Sequence, residues 1–238
     1  MGLVSSSSNS NHHALQLNVE KRFSQGFSLL ANYTWAKTID DYGWANPFNR
    51  HFDYGLSDDD VRHVFKFSNI WEIPKAHIAG VGGKIVNGWV LNSIVTWRGG
   101  FPFSVRSGSD NSLTGVGRDR ADFVGGDAGL DTGRPHGELI EQYFNTSLFV
   151  DNAIGTFGNS GKNNLRGPGF FNTDFGLLKT TKITEQTSIQ FRAEFFNLFN
   201  NVNFGQPDRT VTHGPEQFGH ITSAGSPRII QFGLKFAF

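Results

Sequence analysis

Apolar and polar residues alternate in seven separate segments of about ten residues, and this limits the chain's fold more than any other feature. Between Ala14 and Phe23, Leu15, Leu17 and Val19 point one way while Gln16, Asn18 and Glu20 point the other. A period of two is that of a β-strand with one apolar face. The second segment, Phe27 to Lys37, sets Phe27, Leu29, Ala31, Tyr33 and Trp35 against Ser28, Asn32 and Thr34. The third, Val61 to Ile73, carries Phe65, Phe67, Trp71 and Ile73 on one face, and Pro74 ends it for want of an N–H to donate. The fourth is Lys84 to Arg98, with Ile85, Trp89, Leu91, Val95 and Trp97 alternating. The fifth is Phe170 to Thr180, with Phe171, Phe175 and Leu177 together. In the sixth, Thr187 to Phe199, Ile189, Phe191, Ala193 and Phe195 oppose Gln190, Arg192 and Glu194. The seventh, Arg228 to Phe238, aligns Ile230, Phe232, Leu234, Phe236 and Phe238.

The connections alternate short and long. Ser24-Gln25-Gly26 is a tight hairpin turn in which glycine supplies a positive φ. A polar, aromatic-rich loop spans 38–60, an irregular stretch rich in Gly, Asp and Asn spans 99–169, and a third loop spans 200–226. Phe101 to Arg106 reads as an extension of the fourth strand above its sheet. Short turns at one end and long loops at the other are the pattern of outer-membrane barrels, and compact soluble domains seldom carry such long irregular segments. Strands of 10 to 13 residues suit a tilted bilayer crossing, and Trp35, Trp71, Trp89 and Trp97 fall near strand ends, where an aromatic girdle belongs. The expected fold is therefore all-β: antiparallel transmembrane β-barrel strands forming a partial barrel with long extracellular loops. Seven strands are counted, or eight if one more lies within the long middle region.

Composition agrees with this. Phe occurs 24 times and Gly 29 times, a bias that suits short strands and polar loops better than helices. No run approaches the roughly 18 apolar residues of a membrane helix. The 21 basic and 21 acidic residues balance, so there is no cationic excess to draw nucleic acid. There is no cysteine, which removes disulfides, thiolate metal sites and cysteine nucleophiles.

Residues 1–11, MGLVSSSSNSN, lack the basic and apolar regions of a secretory signal. Seven antiparallel strands are an odd number, and closing them on themselves forces one parallel pair. These two features predict the C-terminal part of a larger barrel, with residues 1–12 as the remnant of an extracellular loop, residues 13–238 as barrel and no plug domain.

Four stretches carry a family likeness: ALQLNVEKRFSQGFSLLANYTWAKTIDD, NGWVLNSIVTWRGGFPFSV, GTFGNSGKNNLRGPGFFNTDFGLLK and FRAEFFNLFNNVNFG. In order and spacing they resemble the C-terminal barrel region of Oar-like TonB-dependent outer-membrane receptors, from His13 onward. The resemblance implies residence in the Gram-negative outer membrane and uptake or binding of a large solute. It also implies a 22-stranded barrel around a plug, energised through TonB at the inner membrane. The chain has no room for a plug and no TonB-contacting box, so TonB enters as a partner only for a full-length receptor. The implied partners are outer-membrane lipid, the barrel-assembly machinery, and the remaining strands and plug. The last strand resembles the C-terminal signal by which barrels are recognised for insertion. Gln231 is its polar residue, Gly233 follows two positions on, and Phe236 and Phe238 supply the aromatic positions.

Catalytic and cofactor chemistry is not expected. Gly83-Lys84 fails as a phosphate-binding loop because Ile78 stands where the first glycine belongs and Ile85 replaces the required Ser or Thr. His12-His13 is the only adjacent histidine pair, no metal-ligand spacing occurs, and there is no Gly-x-Ser-x-Gly elbow. Asp58-Asp59-Asp60, Asp119, Asp122, Asp127 and Asp131 offer oxygens of the kind calcium takes, but without EF-hand spacing they read as solvated loop acids. Gln190, Arg192 and Glu194 are the candidate lumen-facing residues. Two other classes compete. One is a soluble β-sandwich carbohydrate-binding module that stacks sugars on Trp44, Phe48, Phe52 and Tyr54. The other is a barrel enzyme, which the missing nucleophile constellation disfavours.

Overall fold

A computed structural model describes residues 7–238. The segment called a loop remnant, 1–12, thus lies partly outside the described residues, and its last three belong to the first strand. Seven long strands form one antiparallel meander, each paired with the next in sequence: β1 (Ser10–Ser24), β2 (Phe27–Asp40), β3 (His63–Glu72), β4 (Trp89–Arg98), β5 (Phe170–Lys182), β6 (Ser188–Phe196) and β7 (Ile229–Ala237). An eighth, two-residue strand, Gly55–Leu56, pairs with the end of β2. It comes from the 41–62 loop rather than from the middle region. The sheet is not closed: among the described residues, β1 pairs only with β2 along its length, and β7 only with β6.

The register puts all seven apolar faces on one side. Opposed residues in an antiparallel pair share a face, and one such row runs Phe27–Trp71–Leu91–Leu177–Ala193–Phe232 across six strands. Another runs Leu17–Tyr33–Phe65–Trp97–Phe171. A slip of one residue in any strand exposes its polar set on this side, so the apolar pattern itself fixes the register. Leu17 is 54 % exposed and Phe232 67 %, because no second sheet covers this face. The sandwich alternative is thereby corrected. A sandwich buries its apolar faces between two sheets, whereas here the largest apolar surface points outward.

Local chemistry sets the turns and boundaries. Gln25 and Gly26 join β1 to β2 with both φ values positive, at 53° and 77°, the type I′ geometry whose twist suits a hairpin. The fourth strand begins at Trp89 rather than at Lys84, because Gly80–Val86 coils into a short helix, α1. Asn87 ends that helix, its side chain bonding both the amide and the carbonyl of Ala76. The anticipated extension beyond β4 exists as a separate short ladder, Pro102–Phe103 with Leu165–Arg166. At Gly100 a side chain would meet the Gly167 carbonyl oxygen at 1.7 Å, so only glycine lets the two segments approach there.

The buried core lies outside the sheet, in the long loops. Phe103, Val105, Leu139, Phe144, Phe149, Phe218 and Ile221 pack together, drawn from the 99–169 and 197–228 connections. Phe144, 2 % exposed, is the hub, with ring centroids 5.5 Å from Phe103, 5.7 Å from Phe149 and 5.4 Å from Phe218. Edge-on and tilted aromatic packing of this kind adds about 0.5–1.5 kcal/mol per pair beyond area burial. A second short helix, α2 (His136–Glu141), contributes Leu139. The stretch that reads as irregular from its composition is therefore a packed cap.

Ion pairs tie the cap to the 41–62 loop. Arg120 donates to Asp53 at 2.8 Å, to the Ser160 carbonyl at 2.8 Å and to the Phe52 carbonyl at 2.7 Å, with the Phe52 ring 3.9 Å from its guanidinium. Burial pulls Arg120 below the usual arginine range, and Asp53 opposes that pull. Arg166 pairs with Asp60, and Lys162 with Asp40. The Arg120 and Asp53 side chains are only 6 % and 3 % exposed. Arg120→Ala strands a buried carboxylate and is expected to cost the cap about 3–5 kcal/mol. Hydrogen exchange in 41–62 and 99–169 should then accelerate with the strands unchanged, and adding Asp53→Asn should recover part of the loss. Burial also pushes the Tyr143 hydroxyl up to about 12. A raised folded value means that this contribution is intact below the unfolded value near 10 and is lost as pH rises toward 12. Alkaline titration followed by cap hydrogen exchange should show this step in the native chain and not in Tyr143→Phe.

Candidate functional site

The polar side of the sheet is hollow. A cavity of about 800 Å³ is walled by residues from β1 across to β6, among them Glu20, Leu30, Ile70, Asn92, Asp174 and Glu194. Only a sheet curled toward its polar face lets strands so far apart in order share one cavity. The hollow is therefore the inside of a barrel wall and the apolar face its outside. Its floor mixes chemistries: Ser28–Ile70–Asn92–Gly176–Glu194–Gln231 form one transverse row, and Glu20–Leu30–Ser68–Ile94–Asp174 the next.

The three candidate lumen-facing residues all lie on this polar side. Arg192 Nε donates to Gln190 Oε1 at 2.8 Å, Gln190 Nε2 donates to Thr180 Oγ1 at 3.3 Å, and Glu194 lines the hollow. The residues of the terminal pattern all belong to β7 or follow it. Gln231 opposes Glu194, Gly233 opposes Arg192, Phe236 opposes Ile189 on the apolar face, and Phe238 is fully exposed past the strand.

The outer face carries girdle residues at both ends. Near the long loops, Tyr33 bonds His63 at 2.8 Å, and His63 stacks on Trp97 at 6.1 Å between centroids. At the short-turn end, Trp71 and Trp89 mark the opposite border. Trp89 and Trp97 bracket β4 and stand roughly 26 Å apart along it at about 3.3 Å per residue. At a tilt of about 35–45° this is about 20 Å along the bilayer normal, most of the roughly 25 Å apolar band of a barrel. Lys179 lies on the apolar side but at its inner border, where its ammonium reaches the carbonyls of Lys84 and Asn87 beside the Trp89 ring. This is the snorkelling geometry of a long cation at an interface.

The loop cap is clasped to the long-loop ends of the strands. Lys162 reaches Asp40, which points to the polar side, and Asn163 Nδ2 donates to the Leu56 carbonyl at 2.8 Å and to Asp58 at 2.7 Å. Tyr143 N–H donates to the Gly219 carbonyl at 2.9 Å, joining the second long loop to the third. The loop acids serve as internal acceptors. Asp60 takes the Thr38 amide at 2.7 Å, Asp119 the Ser112 amide at 2.6 Å and Asp122 the Asn159 amide at 2.9 Å. Asp127 and Asp131 take the amides of Gly129 and Gly133. Among the described residues no cluster of three or more His, Asp or Glu has metal-site geometry. Of the loop aromatics, Phe52 is spent under Arg120, Tyr54 stacks on His51 at 5.7 Å, and Phe48 stands free at 84 % exposure.

Sequence reasoning missed a cationic pocket in the cap. Arg106, Arg118, Arg120 and Lys162 line a small cavity together with Asp53, Asp58 and Ser104. Desolvation, then the like charge of Arg209, hold Arg106 below the usual arginine range, with Asp58 opposing and Arg118 adding to the fall. The lining residues come from two separate loops, 41–62 and 99–169, of a chain with no net charge, so neither spacing nor composition brings them together.

Comparison with known proteins gives one family. No curated protein and no solved structure matches the chain. The family model described as an outer membrane beta barrel domain matches residues 1–231. That match spans nearly the whole chain and agrees with the outward apolar face, the aromatic borders and the curled single sheet. The chain belongs to the outer membrane β-barrel domain family and resides in the outer membrane.

Proposed function

We propose that this chain is barrel wall and ligand-gathering cap of an outer-membrane receptor that binds or takes up a large solute, of the TonB-dependent, Oar-like kind its sequence resembles. The observation that carries this reading is the cap. A passive pore needs an open mouth, whereas here two long loops share a hydrophobic core and a third is clasped to them by ion pairs, at the long-loop ends of the strands. Loops folded to this degree present a fixed surface, which suits selective capture. Non-enzymatic binding is part of the proposal: the hollow offers carboxylates, amides and hydroxyls for solute contact, and no step of bond chemistry is assigned to it.

The sheet edges bear on how the receptor is completed. β1 and β7 run in the same direction, and within lipid each unpaired backbone group costs several kcal/mol. An odd number of further strands lets every junction be antiparallel, and the wall described here would then be one arc of a larger ring around a plug. Inner-membrane TonB belongs to that complete assembly. Gln231, Gly233, Phe236 and Phe238 are the proposed pattern read by the barrel-assembly machinery.

The test uses cells carrying the gene in its native context and a variant whose cap segment, 104–164, is replaced by a short Gly/Ser link. Uptake is followed with fluorescent oligosaccharides and oligopeptides too large for general porins, before and after collapse of the proton-motive force. The expected result is energy-dependent uptake of one class, lost in the variant while its outer-membrane level and heat-modifiable migration persist. Unselective leakage of small solutes, unaffected by the proton-motive force, would overturn the reading.

A further inference from the structure

Arg98 ends β4 and lies opposite Phe170, the first residue of β5, on the polar side of the sheet. It is half-buried, and its guanidinium lies 4.4 Å from the centroid of the Phe101 ring and 5.2 Å from that of Phe170. The rings attract the charge but offer its N–H groups no oxygen to bond. Among the described residues, no carboxylate stands within 4.0 Å of it, and its guanidinium donates to no acceptor. Arg166, by contrast, donates to the carbonyls of Asp60 and Gly100 at 3.2 Å and pairs with the Asp60 carboxylate. A cation that has lost part of its hydration without gaining an anion is half of an ion pair.

Arg98 opens onto a cavity of about 390 Å³, within the size range of small-molecule sites. Its walls are Phe101 after β4, residues 168–170 at the start of β5, and residues 203–206 and 223–225 of the last long loop. The protein fixes that loop wall with its own bonds. The Asn203 side chain accepts from the Phe171 amide at 2.8 Å and donates to the Phe171 carbonyl at 3.0 Å. Gln206 Nε2 donates to the Phe101 carbonyl at 3.2 Å, and the Gly205 amide to the Ser223 carbonyl at 2.8 Å. His136 packs edge-on to Phe204 at 5.2 Å between centroids. The walls are thus built without drawing on Arg98, which is the one charged residue in the lining.

Charge and lining together limit what can fill this space. One guanidinium matches one negative charge, and its fork meets the two oxygens of a carboxylate in paired hydrogen bonds. A phosphate monoester, at about −1.5 to −2 near neutral pH, brings a second charge against Phe101, Phe170 and Phe204 with no cation to meet it. Those three aromatic residues suit an apolar body attached to the carboxylate.

We infer that the Arg98 pocket binds the carboxylate of an organic acid together with the apolar group next to it. This deepens the receptor reading, on which it rests for the site's role in capture: the pocket holds an acidic, apolar end of the solute and the rest stays outside.

Binding is measured in outer-membrane vesicles from cells carrying the gene in its native context, against vesicles from cells lacking it. Saturation-transfer NMR compares phenylacetate with its neutral counterpart phenylacetamide and with benzyl phosphate. Gene-dependent, saturable binding of phenylacetate is expected, with benzyl phosphate weaker and phenylacetamide weaker still. Arg98→Gln should weaken phenylacetate binding about tenfold or more, while Arg98→Lys, which keeps the charge without the fork, should retain part of it. Outer-membrane level and heat-modifiable migration check that each variant is folded. Ala224→Trp fills the cavity from an exposed loop position and leaves Arg98 in place, so it should also abolish binding; it decides the matter if Arg98→Gln fails to assemble. The inference is overturned by absence of gene-dependent phenylacetate binding, by equal binding of phenylacetamide, by tighter binding of benzyl phosphate, or by unchanged binding in either folded variant. No transport is measured, so failure here leaves the uptake result to decide the receptor reading separately.

Discussion

Inside a bilayer a backbone N–H or C=O has no water to turn to, so each must find a partner in the chain. The continuous ladder from β1 to β7 follows from that requirement. Each of the five inner strands is bonded on both sides, and the neighbours are always neighbours in sequence, which keeps loop closure local. Once the ladder is fixed, the side chains have no further freedom over which way they face. With a period of two, Leu17, Tyr33, Phe65, Trp97 and Phe171 must share a side, and Asn92, Asp174 and Glu194 must share the other. Lipid and solute chemistry are sorted by backbone geometry alone.

The chain's apolar residues accordingly do two different jobs. Most of those on strands cover the outside, where lipid contact leaves them in need of no partner in the protein, while Leu30, Ile70 and Ile94 line the hollow. Those in the loops have only water around them and behave as in any soluble domain: Phe103, Phe144, Phe149 and Phe218 collapse onto each other. This division explains why the buried core lies beyond the sheet. It also explains the clasps, since a small core of this kind gains from ion pairs such as Arg120–Asp53 that fasten it to a rigid strand end.

The strands were legible in the sequence because alternation is a local signal: all seven segments contain a strand, and the faces agree for the named residues that lie within one, while Ile73 and Ile85 fall outside. The ends were less legible. Lys84 to Asn87 continues the apolar alternation, yet α1 forms there because Gly83 lets the chain come close to the Ile78 carbonyl oxygen, an approach of 2.1 Å for any side chain, and sequence spacing does not reveal it. The cap was not legible at all. Its core joins Phe103 to Phe218 across more than a hundred residues without periodicity, and Arg106, Arg118 and Arg120 share a small cavity with Asp53 and Asp58 of another loop, which composition describes only as polar. Asp58 and Asp60 looked like solvated acids, but Asp60 is fully buried, since only the folded loops bring Arg166 against it.

The account rests on which side of the sheet faces lipid. Because the chain contains no cysteine, single-cysteine spin labels can be placed along β5 and β6 without removing any native thiol. Labels at successive positions from Ile189 to Phe195, read in outer-membrane vesicles, report collision with lipid-soluble oxygen and with a water-soluble nickel chelate. The account predicts strict alternation, with oxygen favoured at Ile189, Phe191, Ala193 and Phe195 and nickel favoured at Gln190, Arg192 and Glu194. Uniform accessibility to nickel, or the opposite phase, would contradict it.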